Sequence, residues 1–222
     1  SDSVASRSSF ILRKIAREVW SGWKDGNPVR SDIAHGSEDA GRRITGFSGR
    51  RPVLLIIGGS QGSVAINDAI TKNLSSLLGL ADIIHLTGTG KSTGSSHARY
   101  FTAENASEDL PHLYAIADLT VTRAGAGVLS ELAELSKPAI VTPLRGVAHD
   151  HQWHNAVALQ KMQAIELLEQ EQLHQLPERV QDLLQNPERM KSLGTALHAA
   201  FPSHAAARIA EHILALAEKS RL

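Results

Sequence analysis

The chain has 222 residues, 42% hydrophobic and 21% charged, which is ordinary for a folded protein and enough for a sizeable core. Its 23 lysines and arginines balance 23 aspartates and glutamates, so the charge gives no sign of nucleic-acid binding. Cysteine is absent, which excludes disulfides and cysteine catalysis and suits the cytoplasm. No apolar run approaches the roughly 20 residues of a membrane span, and Arg13, Lys14 and Arg17 interrupt any signal-peptide pattern. We expect a soluble, cytoplasmic protein.

The first predicted element is an amphipathic helix over residues 10–23. Leu12, Ile15 and Val19 lie on about one face with a tryptophan, and basic residues lie elsewhere. Such a helix is of the kind that lies on an anionic membrane surface, so peripheral membrane contact is one interpretation. The other, which we prefer, is that its apolar face packs on the protein itself. Residues 31–51 are rich in glycine, serine and charge, and we expect a loop or hinge there.

The first predicted strand is Val53–Ile57, followed by the sequence GGSQG and a helix over residues 64–77. Gly58, Ser60 and Gly62 match the nucleophile elbow of α/β-hydrolases, so a serine hydrolase using Ser60 is an alternative. The same small residues also let backbone amides approach an anion. We prefer the second interpretation, because the hydrolase fold needs a larger sheet and an oxyanion loop that has no counterpart in this sequence.

A second strand is predicted over residues 82–85, and the sequence HLTGTGKS that ends it resembles a phosphate-binding P-loop. That motif requires glycine where His85 stands, and no convincing helix follows, so Walker-type nucleotide binding is not expected. A third strand is predicted over residues 99–102, and a short helix over residues 110–117.

Residues 118–155 carry the pattern of a nucleotide site. A strand over Leu119–Thr122 runs into the glycine turn RAGAG, then a helix over residues 128–135, then a strand over Ala139–Val141. Parallel α/β sheets bind ligands beyond the carboxyl ends of their strands. A helix N-terminus after a glycine turn suits a diphosphate, and Glu131, one turn in, is placed to accept hydrogen bonds from a ribose.

The histidines at 149, 151 and 154 suggest a metal site at first sight. Only His151 and His154 share a face of the helix predicted over residues 152–162, and no Asp-x-Asp pair is present. We therefore expect neither a metal nor another cofactor. Further helices are predicted over residues 170–184, 187–199 and 203–219, the last burying Ile209, Ile213 and Leu216.

Four motifs together resemble a known family in order and spacing. They are GNPVR at 26–30, GGSQG at 58–62 with Asn67, RAGAGVLSEL at 123–132 and DHQWHN at 150–155. They are similar to the donor-binding domain of the MurG family of bacterial glycosyltransferases, over about residues 26–164. The resemblance implies a doubly wound, Rossmann-like parallel α/β sheet, the C-terminal domain of a B-type glycosyltransferase. It also implies inverting transfer of GlcNAc from UDP-GlcNAc to lipid-linked MurNAc-pentapeptide in peptidoglycan synthesis, at the cytoplasmic face of the inner membrane.

The resemblance implies a donor site at strand ends, turns and helix starts. Arg30 and the turn after Arg123 would stabilise the diphosphate, Glu131 the ribose, and Gln152 with Asn155 the sugar. The implied donor-binding residues are Arg30, Gly59, Ser60, Gln61, Gly62, Ser107, Arg123, Ala124, Gly125, Glu131, Gln152 and Asn155. Two departures from the family pattern stand out: Val128 replaces a threonine, and Ala106-Ser107 replaces a Phe-aliphatic pair in the segment that supplies backbone contacts to uracil.

Members of this family also have an N-terminal domain with the acceptor site, the general base and the membrane patch. We expect residues 1–50 to be a remnant of that domain plus a linker, and residues 51–222 to be the donor domain. The isolated chain should then bind UDP-GlcNAc without efficient transfer, with no catalytic base of its own. A UDP-sugar-binding module that needs a separate acceptor subunit is the alternative.

Overall fold

The computed structural model describes residue 20 and residues 25–59, 61–92, 94–146, 150–202 and 204–219. The predicted N-terminal amphipathic helix, apart from Trp20, lies outside these residues, and so do Ser60 and His149. Within the described part, no helix combines the length and the apolar character needed to cross a membrane.

Six parallel strands form one sheet. They are β1 (Val53–Ile57), β2 (Asp82–Leu86), β3 (Tyr100–Ala103), β4 (Leu119–Thr122), β5 (Ala139–Val141) and β6 (Glu166–Leu167). The spatial order is β3-β2-β1-β4-β5-β6, and every neighbouring pair is parallel. This is the strand order of doubly wound nucleotide-binding folds, so the predicted fold is confirmed.

Helices cover both faces of the sheet. Those in the described residues are α1 (Glu38–Thr45), α2 (Val64–Lys72), α3 (Leu74–Leu80), α4 (Leu110–Ile116), α5 (Ala126–Glu134), α6 (His151–Lys161), α7 (Leu176–Leu184), α8 (Pro187–Ala200) and α9 (Ala205–Lys219). Short 3-10 helices span Ile33–His35 and Gln170–Gln175.

Two apolar cores form because alternate strand residues point to opposite faces of the sheet. From β1, Val53 and Leu55 enter the core under α4, α5 and α6. Leu54 and Ile56 enter the core under α2, α3 and α7. A central strand covered on both faces needs a continuous apolar run, and the sequence VLLII of β1 supplies it.

The segment predicted as a loop or hinge is structured instead. Its 3-10 helix and α1 pack against α4, where Gly36 and Gly41 allow the backbones to touch. A Cβ at Gly36 would stand 2.0 Å from the carbonyl oxygen of Pro111, and one at Gly41 2.3 Å from that of His112. The prediction of a loop or hinge from the composition of this segment was wrong, because its glycines allow close helix packing and do not make the segment flexible.

Two predicted helices prove to be divided. The first ends at Lys72 and resumes at Leu74, because the side-chain amide of Asn73 donates to the Ala69 carbonyl at 2.9 Å and the Asn73 backbone leaves the helical region. The second is a 3-10 helix that continues as α7, where Pro177 occupies the first turn. The two-residue strand β6 was not predicted, since two residues carry no periodicity.

The last helix is less buried than its sequence pattern indicates. Of the three residues expected on its buried face, Ile213 is 59% exposed, while Ile209 and Leu216 are half-buried. Leu214 is 64% exposed. The expectation for Ile213 was therefore wrong, because most of the described side chains of α9 are exposed.

Candidate functional site

A cavity of about 530 Å³ lies where β1 and β4 end. These neighbouring strands connect to opposite sides of the sheet, and a crevice opens at their carboxyl ends. The cavity is lined by Gly58, Gly59, Gln61, Gly62, Ser63, Val64, Ala65, Arg123, Gly125, Val128, Leu144, Gln152 and Gln170. Six of the predicted donor-site residues are among them: Gly59, Gln61, Gly62, Arg123, Gly125 and Gln152.

Two helix N-termini face this cavity. Helix α2 begins after Ser63, whose hydroxyl accepts from the Ile66 amide at 3.3 Å. Helix α5 begins after Gly125, and no described side chain caps it. The first amides of a helix have no partner within it, and its dipole places partial positive charge at that end. Together the two helix starts make a site for a doubly charged anion such as a diphosphate.

The glycine loop after β1 is shaped by close contact with the loop after β2. Gly62 has φ +68°, and a Cβ there would stand 2.0 Å from the carbonyl oxygen of Thr87. Gly59 has φ +90°, but a Cβ there would meet no atom within 4 Å. Gly62 is therefore required by packing, whereas Gly59 leaves space open beside the cavity. The Lys91 ammonium donates to the Gln61 carbonyl and adds a further tie between the loops.

Arg123 holds the walls of the cavity together. Its guanidinium donates to the Thr142 carbonyl at 3.1 Å, to the Ser63 hydroxyl at 2.7 Å and to the Gln170 side chain at 2.7 Å. The residue is 7% exposed, and burial lowers its pKa. Arg123 is predicted to bind the diphosphate, but hydrogen bonds of its guanidinium already join four segments of the protein. Its positive charge still lies at the cavity edge.

The two carboxamides predicted to share a ligand-facing side of α6 lie at different depths. Gln152 lines the cavity, and its side-chain oxygen accepts from the Leu144 amide at 3.0 Å. Asn155 is fully buried and donates to the Ala124 carbonyl at 3.2 Å. In this conformation Asn155 supports the glycine turn from below and presents no surface to a ligand. Ala124 is likewise fully buried.

Glu131 is paired with a buried tyrosine. The Tyr114 hydroxyl donates to its carboxylate at 2.9 Å. Burial raises the pKa of Glu131, while that hydrogen bond and the charge of Arg30 lower it. The tyrosine, fully buried on α4, fixes one carboxylate oxygen, and Glu131 is not among the residues that line the cavity.

Arg30 and Ser107 contact each other outside this cavity. Arg30 forms an ion pair with Asp32 at 2.5 Å, and its Nη1 donates to the Ser107 carbonyl. Neither residue lines the cavity between the helix N-termini. Arg30 instead lines another cavity, of about 320 Å³, between residues 27–35 and helices α5, α8 and α9. None of the residues lining that second cavity directly follows a strand, so we place the candidate site at the first.

A buried polar network under the glycine loops was missed by sequence reasoning. His85 is fully buried and contacts the Tyr100 hydroxyl at 2.8 Å and the Asn67 side-chain oxygen at 3.0 Å. Asn67 in turn donates to the Thr87 carbonyl at 2.9 Å. Burial lowers the pKa of His85 to about 4, so the ring is neutral at physiological pH. The one sequence signal for this network was Asn67, which belongs to a family motif, but the motif does not indicate that Asn67 contacts His85.

No group of three or more histidine, aspartate or glutamate side chains in the described residues is arranged to hold a metal ion. His154 is exposed and His151 half-buried. The positive charge at the cavity comes from helix termini and from Arg123.

Comparisons with known proteins identify relatives of this chain. A family model described as the glycosyltransferase family 28 C-terminal domain matches residues 53–212. The UDP-N-acetylglucosamine--N-acetylmuramyl-(pentapeptide) pyrophosphoryl-undecaprenol N-acetylglucosamine transferase of Geobacillus kaustophilus is 40% identical over 169 residues, which are 74% of this chain and 47% of that protein. The protein of the same name from Geobacillus thermodenitrificans is 38% identical over 171 residues, 75% of this chain and 48% of that protein. The chain thus spans about half the length of the curated relatives it matches.

Solved structures show the same fold. The crystal structure of Acinetobacter baumannii MurG superposes with a TM-score of 0.68 at 23% identity, covering 98% of this chain and 65% of that one. The glycosyltransferase VinC, solved in complex with DTDP, has a TM-score of 0.60 at 14% identity, covering 79% of this chain and 44% of that one. At these identities the two structures show that the fold is shared.

Proposed function

Because the chain belongs to the glycosyltransferase family 28 C-terminal domain family, we propose that it is the donor-binding half of an inverting glycosyltransferase. The donor is UDP-GlcNAc, and the acceptor is a lipid-linked MurNAc-pentapeptide. The names of the Geobacillus relatives support this choice of substrates. The resulting disaccharide lipid is a precursor of peptidoglycan.

One observation carries the proposal: two helix N-termini, a glycine loop and a carboxamide converge on one cavity at the ends of β1 and β4. The unpaired amides of α2 and α5 bind the donor diphosphate. Glu131 accepts hydrogen bonds from the ribose hydroxyls, and Gln152 donates its free amide to the sugar. Val128 contributes its backbone amide, since its side chain offers no hydroxyl.

The reaction is a displacement at the anomeric carbon of GlcNAc. The C4 hydroxyl of MurNAc attacks that carbon, the bond to the diphosphate oxygen breaks, and UDP leaves with the bonding electron pair. The helix termini stabilise the charge that grows on the departing diphosphate, and stronger binding of this charge in the transition state accelerates the reaction. The base that removes the hydroxyl proton belongs to the other half of the enzyme.

We place the boundary between the two halves before Ile33, because the segment from Ile33 through α1 packs on α4. The donor half then includes residues 33–50 as well as the domain expected over residues 51–222, and residues 1–32 are the remnant of the acceptor half and the link to it. Because the acceptor carries a lipid, the complete enzyme acts at the cytoplasmic face of the membrane. The predicted amphipathic helix over residues 10–23 suits such peripheral contact.

Two other functions are less well supported. A binding module with a separate acceptor subunit would use the same donor cavity, but the relatives extend beyond the matched half within a single chain. A serine hydrolase using Ser60 is not supported, because the Geobacillus relatives are named as transferases and the family model that matches this chain is a glycosyltransferase domain.

Calorimetric titration of the purified chain tests the proposal. We expect UDP-GlcNAc and UDP to bind, and UDP to bind more tightly than ADP. Glu131→Ala should weaken UDP binding about 10-fold, since a hydrogen bond to a charged group contributes roughly 1.5–3 kcal/mol.

The matched control is Glu134→Ala, on the same helix but exposed. It should bind UDP as the wild type does. If the folded wild-type chain bound ADP as well as UDP, or neither, the proposal of a uridine-nucleotide donor site would be wrong.

A further inference from the structure

Three of the residues that line the candidate site come from three separate segments of the chain. Leu144 lies in the loop after β5, Gln152 lies in the first turn of α6, and Gln170 begins the 3-10 helix after β6. A ligand that touches all three needs these segments in a fixed arrangement. The contacts that join the segments therefore bear on what the cavity can recognise.

The sequence neighbours of these three residues form a cluster that does not line the cavity: Arg145, Trp153 and Glu169. The guanidinium carbon of Arg145 lies 3.5 Å from the centroid of the Trp153 ring. Its Nη1 forms an ion pair with the Glu169 carboxylate at 3.2 Å. A planar guanidinium can stack on an aromatic ring and pair with a carboxylate at the same time. Arg145 thus connects the loop after β5 both to α6 and to the segment after β6.

A hydrogen bond between two of the lining residues fixes the orientation of the Gln152 side chain. The Leu144 backbone amide donates to the Gln152 side-chain oxygen at 3.0 Å. A backbone N–H can donate only to the oxygen of a carboxamide, so this bond excludes the flipped orientation. The amino group of Gln152 is then left as a hydrogen-bond donor, which suits a hydroxyl or carbonyl oxygen of a sugar.

A small cavity of about 90 Å³ lies beside the cluster, between it and the 3-10 helix. Arg145, Trp153 and Glu169 all line it, and Gln170 lines both this cavity and the candidate site. Truncation of the Arg145 side chain would enlarge this empty space and remove both of its contacts. The loop after β5 would then lose its connection to α6 and to the segment after β6.

We infer that Arg145 is a positioning residue for the sugar of the donor, which acts by holding the Leu144 amide against the Gln152 side chain. The inference rests on the proposed function. Because Leu144 directly precedes Arg145, a side chain held between Trp153 and Glu169 restricts where the Leu144 amide points. The N-termini of α2 and α5 make no use of this cluster, so diphosphate binding should not depend on it.

The affinity for UDP-GlcNAc relative to UDP tests this role, because only the first ligand carries the sugar. Titration calorimetry compares wild type, Arg145→Ala, Arg145→Lys and the control Arg43→Ala, an exposed arginine of α1. We expect Arg145→Ala to lower the ratio about 3–10-fold with UDP affinity unchanged, the equivalent of about one neutral hydrogen bond. Arg145→Lys keeps the charge but not the planar stacking and should give an intermediate ratio. Arg43→Ala should give the wild-type ratio. An unchanged ratio in Arg145→Ala, or equal weakening of both ligands, would overturn the inference.

A double-mutant cycle decides whether Arg145 acts through Gln152. Gln152→Ala alone should lower the ratio of UDP-GlcNAc to UDP affinity. Adding Arg145→Ala should lower it no further, because the side chain that Arg145 positions is then absent. Independent losses that add in the double variant would show that Arg145 affects the sugar by another route, and the inference would be wrong.

Hydrogen–deuterium exchange of the ligand-free chain supplies a readout that needs no nucleotide. The Leu144 amide should exchange faster in Arg145→Ala than in wild type or Arg43→Ala, because its hydrogen bond to Gln152 opens more often. Unchanged exchange would overturn the inference even if the affinity ratio fell. A wild-type chain that bound neither UDP-GlcNAc nor UDP would refute the proposed function and the sugar role with it. The exchange experiment would still decide whether Arg145 holds the Leu144 amide.

Discussion

At the scale of single residues, polar side chains in this domain are used mainly to hold backbone in place. Arg123, Asn155 and Asn67 each donate a hydrogen bond to a backbone carbonyl of another segment around the ligand cavity. The ligand is left with backbone amides and a few side-chain atoms. A preorganised site of this kind needs little rearrangement when charge develops on the leaving group.

His85 belongs to a buried hydrogen-bond network that protonation of its ring would disrupt. The Asn67 amide nitrogen donates to Thr87, so its oxygen faces His85 and accepts from Nε2, and Nδ1 accepts from Tyr100. Protonation of Nδ1 would break this arrangement in a fully buried place.

We predict that the free energy of unfolding falls as the pH drops from about 6.5 to about 4. Burial lowers the folded-state pKa of His85 to about 4, so below the unfolded value of about 6.5 the unfolded chain binds a proton that the folded chain resists. The stabilisation is full above that value and decreases by up to about 3 kcal/mol as the folded pKa is reached. Urea titrations at several pH values measure it. His85→Gln should flatten this dependence and the exposed His154→Gln should not; equal slopes for all three proteins would contradict the prediction.

At the scale of elements, the site depends on a contact between two loops that leave neighbouring strands. Gly62 lies against the backbone of Thr87, while Gly59 faces open space. Both have positive φ, so an alanine at either position bears the same kind of conformational cost. They differ in what the added methyl group would strike.

We predict that Gly62→Ala costs about 3 kcal/mol or more of unfolding free energy, because the Cβ would overlap a carbonyl oxygen and the loops must separate. Gly59→Ala should cost only about 1–2 kcal/mol for its left-handed backbone but should weaken UDP binding, since it lines the cavity. Chemical denaturation and calorimetry of both variants test this. Similar stability losses would show that the loop contact is not what requires Gly62.

At the scale of the whole molecule, helices cover both faces of the sheet, whereas most of the described side chains of α9 are exposed. Ala205 at the start of α9 is buried against Gly26, where an added Cβ would stand 2.6 Å from that of Ala205. Farther along, Trp20 lies near His212, with ring centroids 6.0 Å apart. Ile213 and Leu214 remain exposed.

We predict that Ile213→Lys and Leu214→Lys together change the unfolding free energy of this chain by less than about 0.5 kcal/mol, as for ordinary surface positions. Leu197→Ala on α8, where the leucine is fully buried, should cost about 2–5 kcal/mol. Thermal and urea unfolding compare the two. A large loss in the double lysine variant would mean that α9 packs on the chain more extensively than the structure shows.

The sequence by itself determined five of the six strands, most helices and the crevice at which we propose the ligand site. Continuous apolar runs such as VLLII, glycine turns after strands and four ordered motifs are local signals, and local signals suffice for α/β units. They predicted that Gly59, Gly62, Gly125 and Gln152 lie together, and these residues do line one crevice, because parallel strands end at one edge of the sheet.

Only the tertiary structure decided what the polar side chains contact and which surfaces are covered. Gln152 lines the cavity whereas Asn155 is fully buried, although both belong to one helix, because the glycine turn covers Asn155. The guanidinium of Arg30 is hydrogen-bonded to Asp32 and to the Ser107 carbonyl. The glycine-rich segment forms α1, because its glycines allow close packing on α4. Exposure of Ile213 likewise depends on what lies beside α9. Hydrogen-bond partners and burial are set by residues distant in the chain, and no local pattern records them.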